Sequence, residues 1–144
     1  MLVLKKGNLF DSTCEVLVNP VNTVGIMGKG LALEFKKKYP ITFDKYKQAC
    51  NNHSFDIGKL MLCHENNKSI LLFPTKRDWR DPSKIEYIEE GLQKFVSAYE
   101  SRGIYSAAFP MLGCGLGGLE ISEVLPLMKK YLGPLPIKIE IYLN

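Results

Sequence analysis

Histidine is nearly absent from this 144-residue sequence: His53 and His64 are the only two. Cysteine is sparse as well, with Cys14, Cys50, Cys63 and Cys114 widely spaced, no C-x-x-C pair and no histidine at ligand spacing. A zinc site and a disulfide framework are therefore both unexpected, and the pattern reads as a reduced, cytoplasmic protein with free thiols and no metal. Long hydrophobic runs are missing too, far short of the ~20 apolar residues that span a bilayer, so no membrane span is expected. Met1–Lys6 has no basic segment ahead of its apolar residues and does not read as a signal peptide. There is one tryptophan, Trp79, and neither charge sign dominates strongly: 19 basic against 15 acidic residues leave +4. That excess suits a polyanionic partner without establishing one.

What is present is ordinary globular composition, 46% hydrophobic and 24% charged. A chain of this size buries roughly two-thirds of its unfolded surface and holds a core without staples. No internal repeat or linker divides it, so residues 1–144 read as a single domain, with a monomer as the default state. Leu2–Lys5 and Glu15–Asn19 are strand-like, and Leu31, Phe35 and Tyr39 mark a helix ended by Pro40, with a second short helix over Thr42–Cys50. Lys59–Cys63 and Ser69–Phe73 form a hairpin across His64–Lys68. Ile85, Ile88, Leu92, Phe95, Val96 and Tyr99 make one apolar stripe, with Ser83 and Glu86 as a capping box. Ile104–Phe109 is apolar on both faces, a helix follows with Ile121, Val124, Leu125 and Met128 inward, and Ile137–Tyr142 closes the sheet. This alternation predicts an α/β fold, a parallel or mixed sheet sandwiched between helices.

Two glycine-rich loops interrupt the pattern: Gly25-Ile26-Met27-Gly28-Lys29-Gly30 and Gly113-Cys114-Gly115-Leu116-Gly117-Gly118. Each follows a strand and opens a helix, which places both at the carboxyl edge of the sheet, where open α/β sheets bind ligands. Clustered backbone N–H groups at a helix N-terminus favour phosphate, and two such loops together suggest a diphosphate clasped from both sides. The first loop has the wrong spacing for a P-loop and no Ser or Thr after its lysine. Gly113, Gly115 and Gly118 spell G-x-G-x-x-G. The acid the dinucleotide pattern needs about twenty residues on would be Glu140, inside the last strand, so that match is a decoy.

Four segments resemble the macrodomain family, the ADP-ribose-binding three-layer α/β/α module. They are Lys6–Phe10, Val16–Asn22, Gly25–Gly30 running into Leu31-Ala32, and Pro110–Gly115, and they span the whole chain. Phe73-Pro74-Thr75-Lys76-Arg77-Asp78-Trp79-Arg80 followed by Gly115–Leu119 is similar to the terminal ADP-ribose glycohydrolase branch, with its DarG-like members that remove ADP-ribose from thymine in DNA. The resemblance implies a mixed-sheet sandwich and ADP-ribose bound without a further cofactor. It also implies that Lys76 and Asn22 are the catalytic residues, with Asn22 beside the distal ribose. Asn8, Leu9 and Asn19 would line the ligand, with Gly28, Lys29 and Gly30 on one side of the pyrophosphate. Gly113, Cys114, Gly115, Leu116, Gly117 and Gly118 would form the other side. Two positions depart from the family. Asn8 stands where an aspartate usually accepts the adenine amino proton, and Gly117 stands where protein-deglutamylating members place an aspartate.

The expected reaction is hydrolysis of an ADP-ribose linkage on DNA, or otherwise on protein. Lys76 would act either as an amine nucleophile or as an ammonium that stabilises developing charge. Arg77, Trp79 and Arg80 are expected to touch nucleic acid, the tryptophan as a stacking platform. A cognate ADP-ribosyltransferase toxin would be the natural source of substrate. Phosphatase action on ADP-ribose 1''-phosphate and non-catalytic reading of ADP-ribose are the alternatives. Cys114 has no histidine nearby to activate it and is not a nucleophile.

Overall fold

The strands with no polar face lie at the centre of the sheet. A computed structural model describes all 144 residues, Met1 to Asn144. It contains strands β1 (Leu2–Lys5), β2 (Val16–Val21), β3 (Met61–Glu65), β4 (Lys68–Pro74), β5 (Ser106–Pro110) and β6 (Lys138–Tyr142). Helices α1 (Gly30–Lys38), α2 (Pro40–Asn51), α3 (Ile85–Ala98) and α4 (Ile121–Leu132) complete it, with short 3-10 turns at Leu9–Asp11 and Gly115–Gly117. The six strands run in the order β1-β6-β5-β2-β4-β3. Every neighbour pair is parallel except β3 with β4, which form an antiparallel hairpin. The expected mixed sheet between helical layers is therefore what the chain forms.

Alternation along the central strands divides the core in two. Val16, Val18, Leu71, Phe73, Ala107 and Phe109 face α3 and α4, where they meet Ile88, Leu92, Phe95, Val124 and Met128. Leu17, Ile70, Leu72 and Ala108 face the other way, onto Phe35, Tyr39 and Tyr46 of the α1–α2 layer. Helix α3 lies close because residue 91 is glycine: a Cβ there would stand 2.2 Å from the Phe73 ring. No helix is long and apolar enough to cross a membrane.

Several local expectations are corrected. The hairpin turn is only Asn66-Asn67, both in the left-handed region (φ 52° and 62°), so His64 and Lys68 belong to the strands. Lys59 and Leu60 precede β3. Pro40 does end α1, but its fixed φ also starts α2 immediately, as the first helical position allows. Ser83 does not cap α3. The N-cap is Lys84, with no side-chain bond, and the capping box is instead at α4, between Glu120 and Glu123. Ile121 is exposed, because the buried face of α4 runs through Val124, Met128 and Leu132.

Candidate active site

Parallel strands deliver their following loops to one edge, and the strand order sets the sequence of groups along it. Asn8 stands after β1, the Gly113–Gly118 loop after β5, the Gly25–Gly30 loop after β2, and Lys76 after β4. Four inter-strand steps of ~4.8 Å separate β1 from β4, about 19 Å along the edge, a span suited to an extended dinucleotide-like ligand. The two glycine loops lie in the middle of that span.

The first loop is shaped by Asn22. Its Oδ1 accepts from Val24 N (3.1 Å), Ile26 N (3.3 Å) and Tyr46 Oη (2.7 Å), while its Nδ2 donates to Ile26 O (2.7 Å). Tyr46, fully buried in α2, has Asn22 O at 2.9 Å as well, so its single hydroxyl proton is shared between the two Asn22 oxygens. Burial drives the Tyr46 hydroxyl far above its ordinary pKa, so it stays a donor. The first main-chain bond of α1 runs from Leu33 N to Lys29 O. The amides of Gly28 through Ala32 are thus left without a main-chain acceptor, and no side chain caps the helix. This is the exposed row of donors that an anion needs. Asn19, fully buried at the end of β2, has Nδ2 3.8 Å from Met27 Sδ and an Oδ1 with no partner.

The second loop turns through three left-handed glycines, Gly113 (φ 74°), Gly115 (65°) and Gly118 (84°). Gly117 is buried against Ser83, whose main-chain N–H donates to Gly117 O (2.9 Å). A Cβ at 117 would lie 2.5 Å from Ser83 Oγ and 3.2 Å from its Cβ. A side chain at position 117 would therefore require the Ser83 hydroxyl to rotate away and its Cβ to give by a few tenths of an ångström. Cys114 is half-buried, and burial, aided by Glu120 and Glu123, pushes its thiol up, away from the thiolate. Leu116 reaches across the cleft: a Cβ on Gly30 would be 3.1 Å from Leu116 Cδ1.

Lys76 lies beside this bridge. Its Nζ points at two carbonyl oxygens, Trp79 O (3.3 Å) and Leu116 O (3.5 Å), both at the long end of hydrogen-bond range. The segment is fixed from below, because Arg77 O accepts from both Thr23 N (3.0 Å) and Thr23 Oγ1 (2.9 Å). Asp78 is committed to Arg80 through two bonds of 3.0 and 2.9 Å, which hold its carboxyl down at about 2. Arg80 also lies over the half-exposed Trp79 ring. Arg77, by contrast, points away from them, to Asp56 (2.9 Å) and the Tyr87 ring. The three residues grouped as a nucleic-acid contact thus fall on two sides of one segment.

At the far end of the edge, Asn8 caps the Leu9–Asp11 turn by accepting from Phe10 N (3.0 Å), which leaves its oxygen one further lone pair. The Leu9 side chain is in the core, so only its backbone faces the edge. Tyr46 and Thr23 carried no sign of a role at the site in the sequence, and Ser83 read only as a cap of α3. The four-residue spacing of Thr42, Tyr46 and Cys50 was a usable sign of a buried face, but nothing local pointed that face at Asn22.

The three-layer sandwich, with paired glycine loops at the carboxyl edge of its sheet, is that of the macrodomain class. The Macro domain family model matches residues 18–128, and the chain belongs to that family. It is similar to a DNA ADP-ribosyl transferase–DNA ADP-ribosyl glycohydrolase fusion protein of Thermosipho africanus, at 42% identity over 99% of this chain and 42% of the relative. Among solved structures, the macrodomain of Mycobacterium tuberculosis DarG superposes with a TM-score of 0.96 at 39% identity, covering 100% of this chain and 98% of that one. Thermosipho africanus DarTG in complex with ADP-ribose does so with a TM-score of 0.93 at 43% identity, covering 99% of this chain and 41% of that one. The chain spans 42% or less of the length of the curated relatives it matches at such identity.

Proposed function

We propose that this macrodomain is a DNA ADP-ribosyl glycohydrolase that removes ADP-ribose from thymine. The observation that carries the reading is the placement of Lys76 Nζ at the end of a line that starts at Asn8 and passes between the two glycine loops. The names of the relatives and the ADP-ribose complex of a similar protein support it. The fusion of a transferase to a glycohydrolase in one relative supports a cognate transferase as the source of substrate.

In this reading Asn8 accepts from the adenine amino group, and the free amides of Gly28–Ala32 hold the pyrophosphate from one side. The turn at Gly113–Gly118 closes the other side, with Leu116 as its cover. Asn22 shapes the first loop and does not itself react, since its oxygen already accepts three hydrogen bonds. A water oxygen bonds to the anomeric carbon, and the bond to thymine breaks with its electron pair left on the base. The proton released by the water ends on that base. Lys76 acts as an ammonium that stabilises the charge on the departing base. Its Nζ has carbonyl acceptors around it, and its neighbouring carboxylate is taken by Arg80. Gly117 removes the aspartate that the protein-directed chemistry uses, which favours DNA over protein-linked substrates.

The test is release of ADP-ribose from a thymine-ADP-ribosylated oligonucleotide by wild type and Lys76→Ala. Release by wild type, reduced at least a hundredfold in the variant while ADP-ribose still binds, is the expected result. Binding without release by either protein would make this a reader. Release of inorganic phosphate from ADP-ribose 1''-phosphate alone would make it a phosphatase.

A further inference from the structure

The segment after β4 has a second side that the reaction above does not use. Past the end of β4 the chain bends, so that while Lys76 reaches toward Leu116 of the second glycine loop, Arg77 pairs with Asp56 in the connection after α2. There the end of α2, the connection that follows it and the start of the first loop border an open, polar depression of about 470 Å³. Thr23, Asn51, His53, Phe55, Asp56 and Arg77 line it. His53 is held there in a left-handed conformation (φ 61°) that side chains other than glycine's rarely adopt. The pocket and Lys76 share one fixed wall, since Thr23 clamps Arg77 O with two hydrogen bonds.

We infer that this pocket is a subsite for the nucleobase of a nucleotide flanking the modified one on a single strand. The inference rests on the DNA glycohydrolase reading and adds sequence context to it. A strand crossing the ridge at Lys76–Arg77 places the modified nucleotide on the lysine side and its neighbour on the pocket side. The lining decides between base and phosphate. Arg77 already carries the Asp56 carboxylate at 2.9 Å, so the pocket offers a donor and an acceptor side by side with little net charge. A phosphate would meet that carboxylate, whereas a base edge displays donors and acceptors in alternation. The Asn51 amide adds one of each. Its volume lies within the range of small-ligand sites.

The experiment compares three substrates: ADP-ribosylated thymidine, a single-stranded oligonucleotide ADP-ribosylated on thymine, and the same oligonucleotide with abasic flanking positions. Wild type should show a KM at least tenfold lower for the full oligonucleotide than for the abasic-flanked one, at similar kcat. Asn51→Ala and Asp56→Asn, both surface changes, should each raise the KM for the full oligonucleotide about tenfold, the scale of one lost base contact. Both should leave kcat and the thymidine substrate unaffected. Equal KM for the full and abasic-flanked strands in wild type would overturn the subsite and leave the glycohydrolase reading intact. Variants that slow all three substrates alike would overturn it as well. Absence of release from every DNA substrate would overturn both.

Discussion

Lys76 and Arg77 are neighbours in sequence, yet one faces the glycine loops and the other an ion pair with Asp56. Single side chains here act through the backbone they organise as much as through their own chemistry. Tyr46 is the clearest case, because its hydroxyl holds both the carbonyl and the side chain of Asn22. Tyr46→Phe should cost about 1–2 kcal/mol of stability by chemical denaturation, since it leaves buried acceptors short of a donor. It should also weaken ADP-ribose binding several-fold by calorimetry, through the loosened first loop. Asn8 offers the opposite experiment. Aspartate caps a turn as well as asparagine does, so Asn8→Asp should keep the Phe10 bond and present a charged acceptor to adenine. ADP-ribose affinity should rise by roughly three- to tenfold, the difference between a neutral and a charged hydrogen bond. An unchanged or weaker affinity would show that adenine does not reach this residue.

At the scale of elements, α3 and β4 show how packing outweighs local preference. The apolar stripe of α3 was legible at Ile88, Leu92 and Phe95 from its period alone. Gly91 in the middle of that stripe lowers intrinsic helix stability by about 1 kcal/mol relative to alanine. It is there because the Phe73 ring fills the place of a Cβ, 2.2 Å away. Gly91→Ala should therefore destabilise the domain by about 1–3 kcal/mol despite the better helix former, as overpacking does. A gain in stability would mean that the helix can slide off Phe73. The Ser83–Glu86 capping box failed for a related reason: Ser83 is drawn into contact with Gly117, which its main-chain N–H ties down. A capping motif describes only local bonds; here a tertiary carbonyl takes the Ser83 main-chain N–H, and its buried hydroxyl makes no hydrogen bond.

For the whole molecule, the sheet ties the two ends of the chain together. β1 pairs with β6, and Asn144 exchanges two hydrogen bonds of 2.8 Å with the backbone of Gly7, just before Asn8. Beneath them Glu140, buried on β6, accepts from Ser12 Oγ (2.6 Å) and Lys5 Nζ (3.2 Å), with Lys138 at 3.7 Å. Burial pushes this carboxyl up, but the bonds from Ser12 and Lys5 outweigh it and hold it below the usual glutamate range. A depressed carboxylate contributes stability that is complete above its unfolded value, ~4.3, and is lost as pH falls through its folded value. Glu140→Gln should thus cost about 1.5–3 kcal/mol at neutral pH, the range of a charged hydrogen bond. The gap between variant and wild type should close as the denaturation series descends below about pH 4. A gap independent of pH would mean that Glu140 is not ionised in the folded protein.

The sequence by itself determined the elements and the class. Periodicity located α3 and α4, apolar runs located β4 and β5, and glycines after two strands located the loops at the carboxyl edge of the sheet. Each of these depends on residues near one another in the chain, where side-chain period and backbone freedom are decided locally. Only the tertiary structure decided the strand order β1-β6-β5-β2-β4-β3 that spaces Asn8 from Lys76. It alone turned Tyr46 toward Asn22, Ser83 toward Gly117, and Arg77 away from Trp79 and Arg80. Those pairings join residues far apart in the chain. They exist because strands from both ends of the chain must complete one sheet, and burying its two faces fixes which helices, and which of their side chains, lie over which loops.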